Sequence, residues 1–171
     1  MRVLGWRLMP NHFHLVLWPH HDRDLGRWMQ WLMTSHVRRY HRHYGGSGHV
    51  WQGRFKAFPI QRDEHLLTVL RYLERNPLRA NLVRRPEAWR WSSLSERLHP
   101  TGDLPLYAPP IDLPASWRDL IHEPQTELAA LRTSTQRGTP FGSDRWKSIA
   151  VKKLGLESTV RPRGRPGAAK K

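Results

Sequence analysis

The sequence predicts an α+β domain followed by a basic tail, and three observations carry that reading. Phe13, Leu15 and Leu17 are apolar at period two, and Pro10-Asn11 forms a turn that separates them from an earlier strand, Arg2 to Leu8. Two later segments switch to helical spacing, one through Leu25, Trp28, Met29, Leu32 and Tyr40, the other through Leu66, Leu67, Leu70 and Leu73. Residues 99–114 hold Pro100, Pro105, Pro109, Pro110 and Pro114, which read as an irregular linker before a cation-rich end.

Taken in order, the second strand holds the most chemistry. Alternate residues of a strand point to the same side, so His12 and His14 stand together and can share one metal ion, with Phe13 on the core side. Two histidines on a solvated strand face are the plain alternative. The chain has no cysteine, so any metal must be held by nitrogen and oxygen, which suit magnesium or manganese as well as zinc.

In the first helix Asp24 is the expected N-cap and Gly45-Gly46 the end, while the polar side carries Arg27, Arg38, Arg39, Arg42 and His43. The segment from His49 to Lys56 alternates aromatic and cationic groups, with Trp51, Arg54 and Lys56 among them. That pattern suits a strand that stacks on bases and meets phosphates, and equally an edge strand guarded by cations. The second helix is expected to start with Asp63 as N-cap and to stop at Pro77. Its leucines form the buried stripe, and Tyr72 and Asn76, four apart, share a flank about a quarter turn away. Because residues before proline avoid the helical region, the Asn76 amide is expected to turn outward from a frayed last turn.

Lysine and arginine number 29 against 14 acidic residues, a net charge of +15 with a pI near 11.4, so nucleic acid is the expected partner. No apolar run approaches the roughly 20 residues of a spanning helix, which argues against a membrane partner. With no cysteine and no apolar leader, a cytoplasmic, nucleoid-associated location is expected. The charge is uneven: residues 132–171 carry 11 basic and 2 acidic side chains. We therefore divide the chain into a domain at 1–98, a linker with a short helical segment at 99–131, and a DNA-binding tail at 132–171. In the tail, Ser143 to Leu156 is expected to form a helix with Trp146, Ile149, Ala150 and Leu154 on one face. Arg161-Pro162-Arg163-Gly164-Arg165-Pro166 resembles an AT-hook core, whose arginines fit an A·T minor groove, with an unstructured basic tail as the alternative.

A histidine pair on a strand, a helix tyrosine with an amide one turn later, and a basic surface make up a kit for metal-assisted cleavage of a DNA strand, with Tyr72 as nucleophile. Two other classes stay open on the residues alone: a non-catalytic DNA-binding protein, and a metallohydrolase using activated water. The second lacks an evident carboxylate base.

The segments Met9-Pro10-Asn11-His12-Phe13-His14-Leu15, Gly48 to Lys56, Arg71 to Val83 and Trp91-Ser92-Ser93, in this order and spacing, resemble the REP-associated tyrosine transposases, within the single-tyrosine HUH transposases. The resemblance covers about the first 95 residues. It implies an antiparallel sheet with flanking helices, an HUH-endonuclease-like arrangement related to the ferredoxin-like fold. It implies that His12, His14 and Asn76 bind a divalent ion, Mg2+ or Mn2+, and that Tyr72 cuts a single-stranded or hairpin palindromic DNA and stays on the 5′ end. Arg38, Arg39, Arg42, Trp51, Arg54, Lys56, Arg79, Arg161, Arg163 and Arg165 are the expected DNA contacts, with monomer and homodimer both open. Family members carry a strand and helix ahead of the segment that begins here at Met1. The domain is thus read as shortened, with a sheet edge left unpaired or covered by the tail.

Overall fold

The computed structural model describes residues 1–102, 104 and 106–161. Contacts divide it into two compact units, residues 1–55 with 62–126, and residues 56–61 with the described residues from Glu127 onward.

The first unit is an α+β fold built on a two-stranded antiparallel sheet, β1 (Arg2–Leu8) and β2 (Phe13–Trp18). The Met9 N–H donates to the His12 carbonyl at 2.8 Å and closes the turn through Pro10 and Asn11. The register sets Arg7 opposite His14 and Leu8 opposite Phe13, with an irregularity between Val3 and Gly5. Leu4 and Val16 are buried. Helix α2 (Glu64–Arg79), which buries Leu66, Val69, Leu70 and Leu73, packs on the sheet face that carries Gly5, Arg7, His14 and Val16. The core side is therefore the reverse of the expected one: His14 faces α2, and Phe13, on the other face, packs on Trp51. Gly5 makes the approach possible, because a Cβ there would sit 2.8 Å from Leu70 Cδ2.

As the sequence suggests, Asp63 caps α2, its carboxylate accepting from the His65 N–H at 3.0 Å. The far end differs from expectation. Proline removes one hydrogen bond but its φ suits a helix, so α2 passes through Pro77 and closes on the next turn, with the Ala80 N–H donating to the Asn76 carbonyl at 2.9 Å. Asn76 is buried rather than turned out at a frayed end.

Helix α1 (Asp24–Tyr44) ends as expected at Gly45, left-handed at φ 67°, whose N–H reaches the His41 carbonyl. Its start is different: Arg23 is the cap at φ 71°, and the Asp24 carboxylate folds back to accept from the His21 N–H at 3.0 Å. The segment 49–56 is not a strand but a series of bends and coil. Its aromatic is used for packing instead of sheet formation: the Trp51 ring lies 5.3 Å from Phe13 and 4.8 Å from His36, and its Nε1 donates to the Met33 carbonyl at 3.4 Å.

Among the described residues, the outer edge of β1 is met by groups of residues 91–107. Leu8 N–H donates to Trp91 O at 3.0 Å, Trp6 N–H to Ser93 Oγ at 3.1 Å and Tyr107 N–H to Val3 O at 2.9 Å. Arg7 and Ser92 form an antiparallel bridge there. A 3-10 turn (Pro86–Ala88) and helix α3 (Ser93–Leu98), capped by Ser92, bring these groups up, and helix α4 (Trp117–His122) packs on α2.

The second unit holds α5 (Leu128–Arg137), α6 (Asp144–Leu154) and α7 (Glu157–Val160). Gly138 ends α5 at φ 74°, Ile60 bridges Phe141, and Gln61 Oε1 accepts from both the N–H and the hydroxyl of Ser143. The α6 helix expected from the sequence is there, but it buries Ala150 and Val151 and leaves Ile149 and Leu154 exposed, so its inner face is rotated from the expected one.

Candidate active site

The β-hairpin and α2 bring three candidate groups into one neighbourhood. His12 ends the turn and His14 lies in β2, their rings edge to face at 4.9 Å between centroids. The Tyr72 ring is 6.4 Å from that of His14. The guanidinium of Arg79 lies 4.1 Å from the centre of the Tyr72 ring and donates to Asn76 Oδ1 at 2.8 Å. Tyr72, Asn76 and Arg79 follow one another at helical steps of four and three, which stacks them on one flank.

Two details bear on metal binding. His12 Nδ1 is 2.7 Å from Asn11 Oδ1, an acceptor that favours the proton on Nδ1 and leaves the Nε2 lone pair free. His14 is depressed to a pKa of about 4, first by burial and then by the positive neighbours His12, Arg79 and Arg7. At neutral pH it is an uncharged imidazole, the form that binds metals. Asn76 Oδ1 is engaged by Arg79, though a carbonyl oxygen keeps a second lone pair.

Beneath the flank lies a buried charge network that the sequence reading missed. Arg7, across the sheet from His14, is fully buried and donates to the Glu74 main-chain oxygen. Burial lowers the Arg7 guanidinium to about 9 against the opposing pull of Glu74. Burial raises the Glu74 carboxyl, while Arg97, Trp117 and Arg7 pull the other way. Glu74 Oε2 accepts from Trp117 Nε1 at 2.8 Å and Oε1 lies 3.6 Å from Arg97 Nε. The network fixes the inner face of the turn whose outer face carries Tyr72. Arginine set between Trp6 and Leu8 near the end of β1 was the signal that could have revealed it.

Among the described residues, Asp63, Glu64 and His65 also place ligand-type atoms within 4.8 Å of one another. There Asp63 Oδ1 already serves the helix cap and lies 2.7 Å from His65 Nδ1.

The expected DNA contacts divide. Arg38, Arg39 and Arg42 are exposed along α1, and Arg54 is exposed beyond Trp51, whose ring is packed. Arg79 is half-buried against Tyr72, and its Nη1 has no hydrogen-bond partner among the described residues. Lys56 and Arg161 are exposed in the second unit, where the Arg161 carbonyl accepts from Arg137. Arg163 and Arg165 lie outside the described residues. No described helix is long and apolar enough to cross a membrane.

Neither a curated protein nor a solved structure matches the chain. A family model does: that of the IS200-like transposases matches residues 1–76, a span that holds the hairpin, both histidines, Tyr72 and Asn76. Over that span, somewhat less than half of the 171-residue chain, the sequence is similar to the IS200-like transposases.

Proposed function

We propose that this protein is a tyrosine strand transferase of the REP-associated kind, acting on single-stranded or hairpin palindromic DNA. The observation that carries this reading is the grouping of Tyr72 between the His14 ring and the Arg79 guanidinium. A phenol with a pKa near 10 is a weak nucleophile at neutral pH, and an adjacent guanidinium favours the phenolate as it forms. The Tyr72 oxygen attacks phosphorus and the bond from phosphorus to the 3′ oxygen breaks. The phenol proton is released, and the leaving oxygen takes up a proton to become a free 3′-hydroxyl. The 5′ end remains as a phosphotyrosine ester, so a 3′-hydroxyl can reverse the step without ATP. Arg79 Nη1, without a hydrogen-bond partner among the described residues, is suited to a phosphate oxygen.

The donor set fits a divalent cation, with magnesium or manganese the proposed ion. His12, with Nε2 free, and neutral His14 would hold it, and Asn76 Oδ1 is the proposed third donor. When bound, such an ion supplies positive charge to a phosphate oxygen of the scissile bond. Asn11 keeps the His12 ring oriented, and the Arg7–Glu74 network keeps α2 seated against β1.

A labelled hairpin incubated with protein and manganese and run on a denaturing gel tests the reading. A covalent adduct is expected with the parent chain and none with Tyr72→Phe, while hairpin binding persists in both. An adduct that survives Tyr72→Phe overturns the assignment.

A further inference from the structure

Helix α1 and the segment after it carry a line of aromatic rings that the chemistry above does not use. From the hairpin outward, Phe13 touches Trp51 at 5.3 Å, Trp51 touches His36 at 4.8 Å, His36 lies 6.2 Å from Tyr40, and Tyr40 lies 4.6 Å from Tyr44. The inner members are packed, but the outer ones are open: Tyr40 is 42% and Tyr44 67% exposed. His36, Tyr40 and Tyr44 recur every four residues, so they advance along one edge of α1 with a drift of about 40° per step. Arg39 and His43 occupy the neighbouring edge, both exposed, with Arg42 beyond them.

A helix of 21 residues with only Met29 buried among its side chains gains little from exposing two tyrosines to water. Rings in file beside exposed cations are what a single strand needs, because bases stack on aromatic faces and phosphates meet the cations. Charge complementarity with a chain of net charge +15 favours this occupant over a second copy, whose α1 would bring the same arginines against these.

We infer that His36, Tyr40 and Tyr44 form a base-stacking platform for single-stranded DNA, with Arg39 and Arg42 on its phosphates. The inference rests on the single-strand substrate proposed above and extends it to a second surface. Phe13 points to the opposite side of its strand from His12 and His14, so the platform takes bases outside the cleavage position.

The test uses fluorescent oligothymidylate of about 15 nucleotides, in the Tyr72→Phe background so that nothing is cut. Replacing Tyr40 and Tyr44 together by Ala should weaken binding at least about tenfold with an unchanged salt slope, while the Phe pair should bind within about twofold of the parent. Photo-crosslinking of 5-iododeoxyuridine DNA to the unsubstituted platform should label Tyr40 or Tyr44. Parent-like binding by the Ala pair, or crosslinks confined to other segments, would overturn the inference. So would a parent dimer that the Ala pair converts to monomer, which would assign the surface to self-association. Neither readout involves strand cleavage, so a failed adduct experiment would leave this result standing.

Discussion

Helices α1 and α2 lie in the same unit and are built on opposite principles. The second, of 16 residues, buries leucines, a glutamate, an asparagine and a proline and is held to β1 by Arg7 and Gly5. The first, of 21 residues, buries Met29 and presents arginines and tyrosines to solvent. The chemistry proposed for Tyr72 needs its ring held to a fraction of an ångström, which a packed helix supplies. Contact with a long flexible polyanion requires only charge and ring faces, which an exposed helix supplies. Substitutions of equal size should therefore have unequal consequences in the two.

The largest effect on stability is expected at Glu74. Glu74→Ala leaves the Arg7 and Arg97 guanidiniums without their buried counter-charge, and chemical denaturation should show a loss of about 3–5 kcal/mol. If the loss is under about 1 kcal/mol, the network does not brace α2. Next is pH. His14 has a folded pKa near 4 against 6.5 in the unfolded chain, so the unfolded state binds the extra proton first. The stabilisation is full above about pH 6.5 and is lost as pH falls through 4, by at most about 3 kcal/mol. His14→Asn should flatten that acid limb in denaturation measured across the range. A comparable loss, about 1–3 kcal/mol, is expected for Gly5→Ala, where the new methyl meets Leu70 Cδ2. The smallest stability change belongs to α1. Arg38, Arg39 and Arg42 replaced by Ala should alter stability by less than about 0.5 kcal/mol, yet lower the salt slope of single-strand binding by about 2, at roughly 0.7 per phosphate. A large stability loss in that triple variant would mean that α1 is not the free surface described.

The packed region was also the more legible one in the sequence. Period two in β2 and the leucine stripe in α2 gave both elements, and Asp63 gave the start of the helix, because each signal is local. Strand alternation brought His12 and His14 together on paper, and their rings do meet, although β2 begins only at Phe13 and His12 ends the turn. What escaped depends on distant partners. Arg7 meets Glu74 across 67 residues, and the β1 edge is completed by Trp91, Ser93 and Tyr107, which no window near Arg2–Leu8 contains. Pro77 misled because proline's bar on helix interiors weakens in a last turn that can close on the Asn76 carbonyl. The aromatic alternation of 49–56 misled because Trp51 found Phe13 and His36 instead of a partner strand. Asn76 was placed on the right flank, but its engagement with Arg79 depends on a rotamer, which spacing does not set.

The most direct test of the account is the site of covalent attachment. Protein reacted with a labelled hairpin and manganese, digested with trypsin and analysed by mass spectrometry, should carry the nucleotide on the peptide Tyr72-Leu73-Glu74-Arg75. Attachment at Tyr40 or Tyr44 instead, or cut DNA with no attached peptide, would contradict it.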